Sequence, residues 1–227
     1  MIVCLAMAPG VAGADTPALV RAVLENAVPN AEERCAYTRT RIDGDHSRSE
    51  RYEPGSVGYP WSLRSVDGRP PNDADLSHYS QGQEDRERRH PLAFDLRSMV
   101  QPDGWRLVSE TPAEAVYEFR LRAYDDLDER LAEKVLGTLV VDRTTRQPRR
   151  ISIVNTAPAY VAPLVRIATY TQSLSFRWDD ALGMAALEQI ETHWRGRALG
   201  LKVLQKHELT RYGDYRCRAV EIDAAGR

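Results

Sequence analysis

Between Lys134 and Trp178 apolar and polar residues alternate with a two-residue period. The pattern predicts three strands: Val135 to Asp142, Arg149 to Asn155, and about Leu164 to Trp178. One parity carries Leu139, Val141, Ile151, Ile153, Ala168, Tyr170, Leu174, Phe176 and Trp178. The other carries Thr138, Arg150, Ser152, Thr169, Thr171, Ser175 and Arg177. A split of this kind arises when one face of a sheet meets a core and the other meets water. Arg143 to Pro148 has the polar, proline-closed composition of a hairpin loop. The third run is much longer than the usual strand of about five or six residues, so the sheet is expected to curve. Pro158 to Pro163, with Tyr160 and Val161, reads as an interruption of the sheet, either a flap or a loop over an edge.

The same reading extends to both sides. Thr16-Pro17 opens a helix whose buried stripe is Leu19, Val20, Val23, Leu24 and Ala27, and Val28-Pro29-Asn30 closes it. Cys35 to Ile42 predicts a strand, Asp43-Gly44-Asp45 its turn, and Ser49 to Tyr52 the return. Trp61 to Val66 follows, ended by the turn dipeptide Asp67-Gly68. From Asn72 to Arg89 the pattern is a polar helix capped by Asn72 or Asp73, with Leu76 and Tyr79 as its apolar contacts. Leu92, Phe94, Leu96, Met99 and Val100 lead back to the core. Strands resume at Trp105 to Val108 and at Ala115 to Arg122, where Tyr117, Phe119 and Leu121 alternate with Glu118, Arg120 and Arg122. Asp125 to Glu133 is a polar connection. A last hairpin is expected from Leu187 to Trp194 and Leu199 to Tyr212, turning around Gly196 and Gly200.

These elements give an α+β, mainly β class: a single curved antiparallel sheet, an unclosed half-barrel, with helices packed in its concave side. Residues 15–227 are expected to form one domain with a helical insertion at about 72–100.

Composition narrows the function. The 227 residues are 42% hydrophobic and 28% charged, ordinary for a globular chain. A net charge of −2 gives no reason to expect nucleic acid. The mixed-charge run from Glu84 to His90 reads as a solvated helix face. Met1 to Ala14 is uncharged, starts apolar, and ends in Ala12-Gly13-Ala14 ahead of Asp15-Thr16-Pro17, the layout of a cleaved signal peptide. The expected location is therefore the periplasm. Cys35 and Cys217 then remain, an even number in a disulfide-permissive setting. They form either a bridge closing a very long loop or two separately buried thiols.

A resemblance is carried by several motifs in order. They are Arg51-Tyr52-Glu53-Pro54, then Trp61-Ser62-Leu63-Arg64-Ser65-Val66-Asp67-Gly68-Arg69-Pro70-Pro71, then Arg195-Gly196-Arg197-Ala198-Leu199-Gly200-Leu201, and finally Tyr212-Gly213-Asp214-Tyr215. With the leader and the long meander they resemble an uncharacterised exported proteobacterial family, similar in architecture to the periplasmic lipoprotein carriers and receptors of the LolA/LolB type. The resemblance implies a greasy concave side able to accept acyl chains, and brings no catalytic motif.

Trp61, Leu63, Tyr117, Phe119, Leu139, Ile151, Ile153, Tyr170, Phe176 and Trp178 are the residues expected to face inward. They form either the lining of an acyl-chain cavity or a packed core. The corresponding functions are a carrier for lipid, acyl chain or lipoprotein, and an interaction module that binds an envelope protein, for example through a sheet edge. Chemistry is not expected. His46, His78, His90, His193 and His207 lack metal-ligand spacing, and His193 and His207 sit at unequal offsets from the last turn, so they are not expected to face each other. Asp125-Asp126 and Asp179-Asp180 read as turn carboxylates. Neither a nucleophile elbow nor a phosphate loop is present. A monomer without metal or cofactor is the expectation.

Overall fold

The computed structural model describes residues 16–26, 35–82, 100–101, 104–122, 132–162, 164–180, 182–199 and 201–217. The proposed leader, Ala27 to Asn30, Leu92 to Met99 and Asp125-Asp126 lie outside the described residues, as does the insertion beyond Gly82 apart from Val100.

The sheet is antiparallel, eleven-stranded and not closed into a barrel. Its strands are β1 (Cys35–Asp43), β2 (His46–Tyr52), β3 (Trp61–Val66), β4 (Arg106–Glu110), β5 (Glu114–Arg120) and β6 (Val135–Asp142). They continue as β7 (Gln147–Asn155), β8 (Ala159–Ala162), β9 (Val165–Asp179), β10 (Met184–Ala198) and β11 (Lys202–Cys217). The spatial order is β3-β2-β1-β11-β10-β9-β7-β6-β5-β4, with β8 paired beside β9. β3 and β4 follow one another in the chain yet form the two opposite edges, while the last strand returns to lie beside the first. Cys35 and Cys217 are register partners in β1 and β11, and the disulfide between them is formed.

Among the described residues two helices cover the inward face. α1 (Ala18–Asn26) lies on β6 and β7 and buries Val20 and Val23. α2 (Asp73–Gln81) lies on β3 and buries Tyr79. Asn72 caps α2 by accepting from the Asp75 amide, while Asp75 accepts in return from the Asn72 amide, a reciprocal capping box. The helix runs to Gln81 with Gly82 as its C-cap, the rest of the span expected to be helical lies outside the described residues, and Leu76 is exposed. With one buried apolar residue, this element is held by its cap and by Tyr79.

Turn chemistry explains the hairpins. Asp67 and Gly68 both take positive φ (49° and 75°), the type I′ turn whose twist matches the strands. Val66 and Arg69 close it with reciprocal amide bonds of 2.9 and 3.0 Å. β7 begins at Gln147, earlier than predicted, because a register shift between Val140 and Val141 lets Pro148 sit beside a bulge without costing a ladder bond. The expected interruption at 158–163 contains β8, a four-residue strand continuing the ladder on β9. β4 starts one residue late and leaves Leu107 and Val108 exposed at the edge, with a bulge between Leu107 and Ser109.

The concave core has two parts. The larger gathers Val20 and Val23 of α1 with Trp105, Tyr117, Phe119, Leu139, Val141, Ile151, Ile153 and Leu174. The smaller gathers Tyr37, Trp61, Leu63, Tyr79 and Tyr212. Leu187 and Ile190 of β10 pack against both.

Candidate functional site: the concave face and the projecting hairpins

The residues expected to line a cavity do not form one surface. Tyr117, Phe119, Leu139, Ile151 and Ile153 belong to the larger core, and Tyr170 and Phe176 pack partly buried against it. Trp61 and Leu63 belong to the smaller core. Trp178 departs from the expectation: it is 41% exposed, and its indole N–H donates to Asp180 Oδ1 at 2.7 Å. Ala168 is also exposed. A register shift between Arg195 and Gly196 leaves Ala168 as the extra residue of β9, so strict alternation fails there.

Beside the smaller core, on β1, β2 and β11, runs a charged seam that alternation does not reveal. Arg39 of β1 and Glu50 of β2 are register partners, and both are buried. Arg39 donates to Glu50 Oε2 through Nε at 3.0 Å and Nη2 at 2.7 Å. Its guanidinium lies 3.9 Å from the centroid of the Trp61 ring, a cation–π stack that covers the pair. Arg48 Nε stands 3.4 Å from Glu50 Oε1. Glu208 of β11 is shared by Arg41 at 3.5 Å and Lys206 at 2.5 Å. Burial pushes the Glu50 carboxyl up, but Arg39, Arg48 and Arg41 outweigh it and hold the group below its ordinary range. Burial likewise pulls Arg39 down, and Glu50 more than offsets that. The pair was legible in principle: across the Gly44-Asp45 turn, Arg39 and Glu50 stand at equal offsets.

The long hairpin of β10 and β11 corrects the last turn. Gly196 is buried inside β10, where a Cβ would collide with the Arg166 carbonyl, so glycine is needed for close backbone approach. The chain reverses instead at 199–201, with Leu199 at φ 53° and the Leu201 amide bonded to the Ala198 carbonyl. This moves the centre of symmetry, so His193 and His207 are register partners after all, with ring centroids 5.8 Å apart. His207 Nε2 lies 2.9 Å from Glu191 Oε1. Among the described residues no group of three side chains could hold a metal ion.

β9, β10 and β11 also outreach their neighbours. β7 pairs with β9 over Thr171 to Ser175, and β1 pairs with β11 only from Glu208 onward. Residues 165–170, 194–198 and 202–206 therefore pair among themselves and with β8. Asn155, at the end of β7, fixes the base of this projection by accepting from the Tyr170 amide at 2.6 Å and donating to the Ala168 carbonyl at 3.1 Å.

No protein-family model and no curated protein matches the chain. Among solved structures, MucB in the crystal structure of its complex with MucA(peri) aligns with 90% of this chain and 100% of that chain, at 9% identity and a TM-score of 0.23. A similarity that low supports no argument about fold or function. Among the described residues no helix is long and apolar enough to cross a membrane.

Proposed function

We propose that the protein is an exported, disulfide-locked interaction module of the bacterial envelope that performs no chemistry and binds its partners at its surface. The observation that carries this reading is the filling of the concave side. A side chain lining a void wide enough for an acyl chain would keep accessible surface. Trp61, Leu63, Tyr117, Phe119, Leu139, Ile151 and Ile153 keep between 0% and 9%. The apolar area that a carrier would offer to a ligand is spent on α1, α2 and the two cores. The Cys35–Cys217 bridge supports an oxidising compartment, in keeping with the leader-like start of the chain. Strand addition at β4 has less support than other surfaces, because its bulge and the charges of Arg106 and Glu110 are devices that discourage edge pairing.

The acyl-carrier reading, implied by the LolA/LolB-type resemblance, keeps one observation in its favour. Tyr170, Phe176, Leu187 and Ile190 stay only half-buried on the inward side of β9 and β10, where the two cores meet. Lipid extraction and mass spectrometry of protein purified without detergent separates the two readings. No stoichiometric lipid is expected. One bound acyl species per chain would overturn the module in favour of the carrier. N-terminal sequencing of exported protein is expected to begin at Asp15.

A further inference from the structure

The projecting end of the sheet carries an apolar tip inside a basic collar. Tyr160, Val161, Leu164, Leu199, Leu201 and Val203 are between 48% and 89% exposed, and together they make up more than half of the large exposed hydrophobics among the described residues. They meet because the β8–β9 connection and the β10–β11 turn lie side by side, tied by the Leu199 amide donating to the Leu164 carbonyl at 2.8 Å. Register places Tyr160, Arg166, Arg197 and Val203 in one row across four strands, all exposed on the same face. Arg166 and Arg197 thus stand directly opposite each other, a like-charge pairing that a sheet ordinarily avoids. Arg195 follows on that face and Lys202 flanks the turn.

Charge is segregated here. Residues 159–172 and 194–206 contain five Arg and Lys and no Asp or Glu, in a chain whose net charge is −2. The projection past β1 and β7 spans residues 202–207 of β11, on the order of 20 Å at the rise of a strand. That is far enough to present the tip to a flat surface ahead of the two cores. Exposed leucines at a turn, a tyrosine beside them and cations behind them match the layers of a bilayer surface: acyl boundary, headgroup level and anionic phosphates.

We propose that this four-stranded finger docks the protein on anionic phospholipid bilayers, with Leu164, Leu199 and Leu201 entering the acyl boundary and Arg166, Arg195, Arg197 and Lys202 contacting the phosphates. This goes beyond the interaction module and does not depend on whether its interior is packed or loaded. A basic collar selects a phosphate-rich surface over an apolar groove on another protein.

Flotation of the oxidised full chain with vesicles tests it, comparing equal parts phosphatidylglycerol and phosphatidylcholine with phosphatidylcholine alone. Binding is expected to the anionic vesicles and to weaken as salt is raised. The double change Leu199→Glu and Leu201→Glu is expected to lower partitioning at least about tenfold. Arg166→Gln and Arg197→Gln are expected to lower it about fivefold each. Val57→Glu, at an exposed loop outside the finger, should change nothing. All these positions are exposed, so thermal melts should match the parent, and the arginine variants keep the test valid should the leucine variant misfold. Three results would overturn the proposal. They are no binding to anionic vesicles, equal salt-independent binding to neutral ones, and a stoichiometric protein partner lost from the finger variants while vesicle binding is absent.

Discussion

Glu50 is the residue on which most of the charged seam converges. It is fully buried and held by Arg39 from one side and approached by Arg48 from another. Removing one member of a buried pair leaves the other charge without compensation, so Glu50→Gln is expected to cost about 3–5 kcal/mol in urea unfolding at neutral pH. The pH dependence follows from the direction of its shift. The folded carboxyl lies below its ordinary value of 4.5, so below that pH the unfolded chain takes up a proton that the native chain still refuses. The stability contributed by Glu50 is complete above its ordinary value and is lost as pH falls toward the folded one. The gap between the parent and Glu50→Gln should therefore narrow at acid pH. A gap of constant size would mean that the pair is not what stabilises the seam.

At the scale of the element, the meander of β5, β6 and β7 shows why a glycine stands in a strand that otherwise reads Val-Leu-x-Thr-Leu-Val-Val. Gly137 is the register partner of Phe119, and a Cβ there would fall inside the Phe119 ring. Gly137→Ala is expected to lower stability by about 1–3 kcal/mol through overpacking, despite the better strand propensity of alanine. Gly213→Ala in β11 meets nothing within 4 Å and should be nearly neutral. Equal melts for the two variants would show that Phe119 can move aside. Alternation made β6 legible to the residue, because each inward side chain there meets the core directly. It failed for β8, where a bulge falls between Tyr160 and Ala162, for Trp178 next to the end of β9, and for the turn at 199–201, which is set by the positive φ of Leu199 and not by a glycine the pattern marks.

For the whole molecule, the disulfide joins positions 182 residues apart and fixes the last strand beside the first. The chain-entropy model gives about 5 kcal/mol for a loop of that length. Replacing both cysteines by serine should lower the urea midpoint accordingly, and an unchanged midpoint would show that β1 and β11 are held by their ladder alone. The topology gives this bond its importance. β3 and β4 form opposite edges, so the sheet is two meanders joined only where β11 meets β1.

Sequence by itself determined the class of fold, the strands of the central meander, the Asn72 cap, the turns at Gly44 and Asp67-Gly68, and the identity of the apolar residues. These depend on period, turn chemistry and local hydrogen bonding, all of which act over a few residues. Tertiary structure alone decided which strands became edges, that Arg39 and Glu50 are buried together, that His193 meets His207, and that apolar and basic residues from four strands gather at one tip. Those outcomes depend on which strands become neighbours, on where the last hairpin turns and on what packs over each pair, and no short-range apolar pattern encodes them.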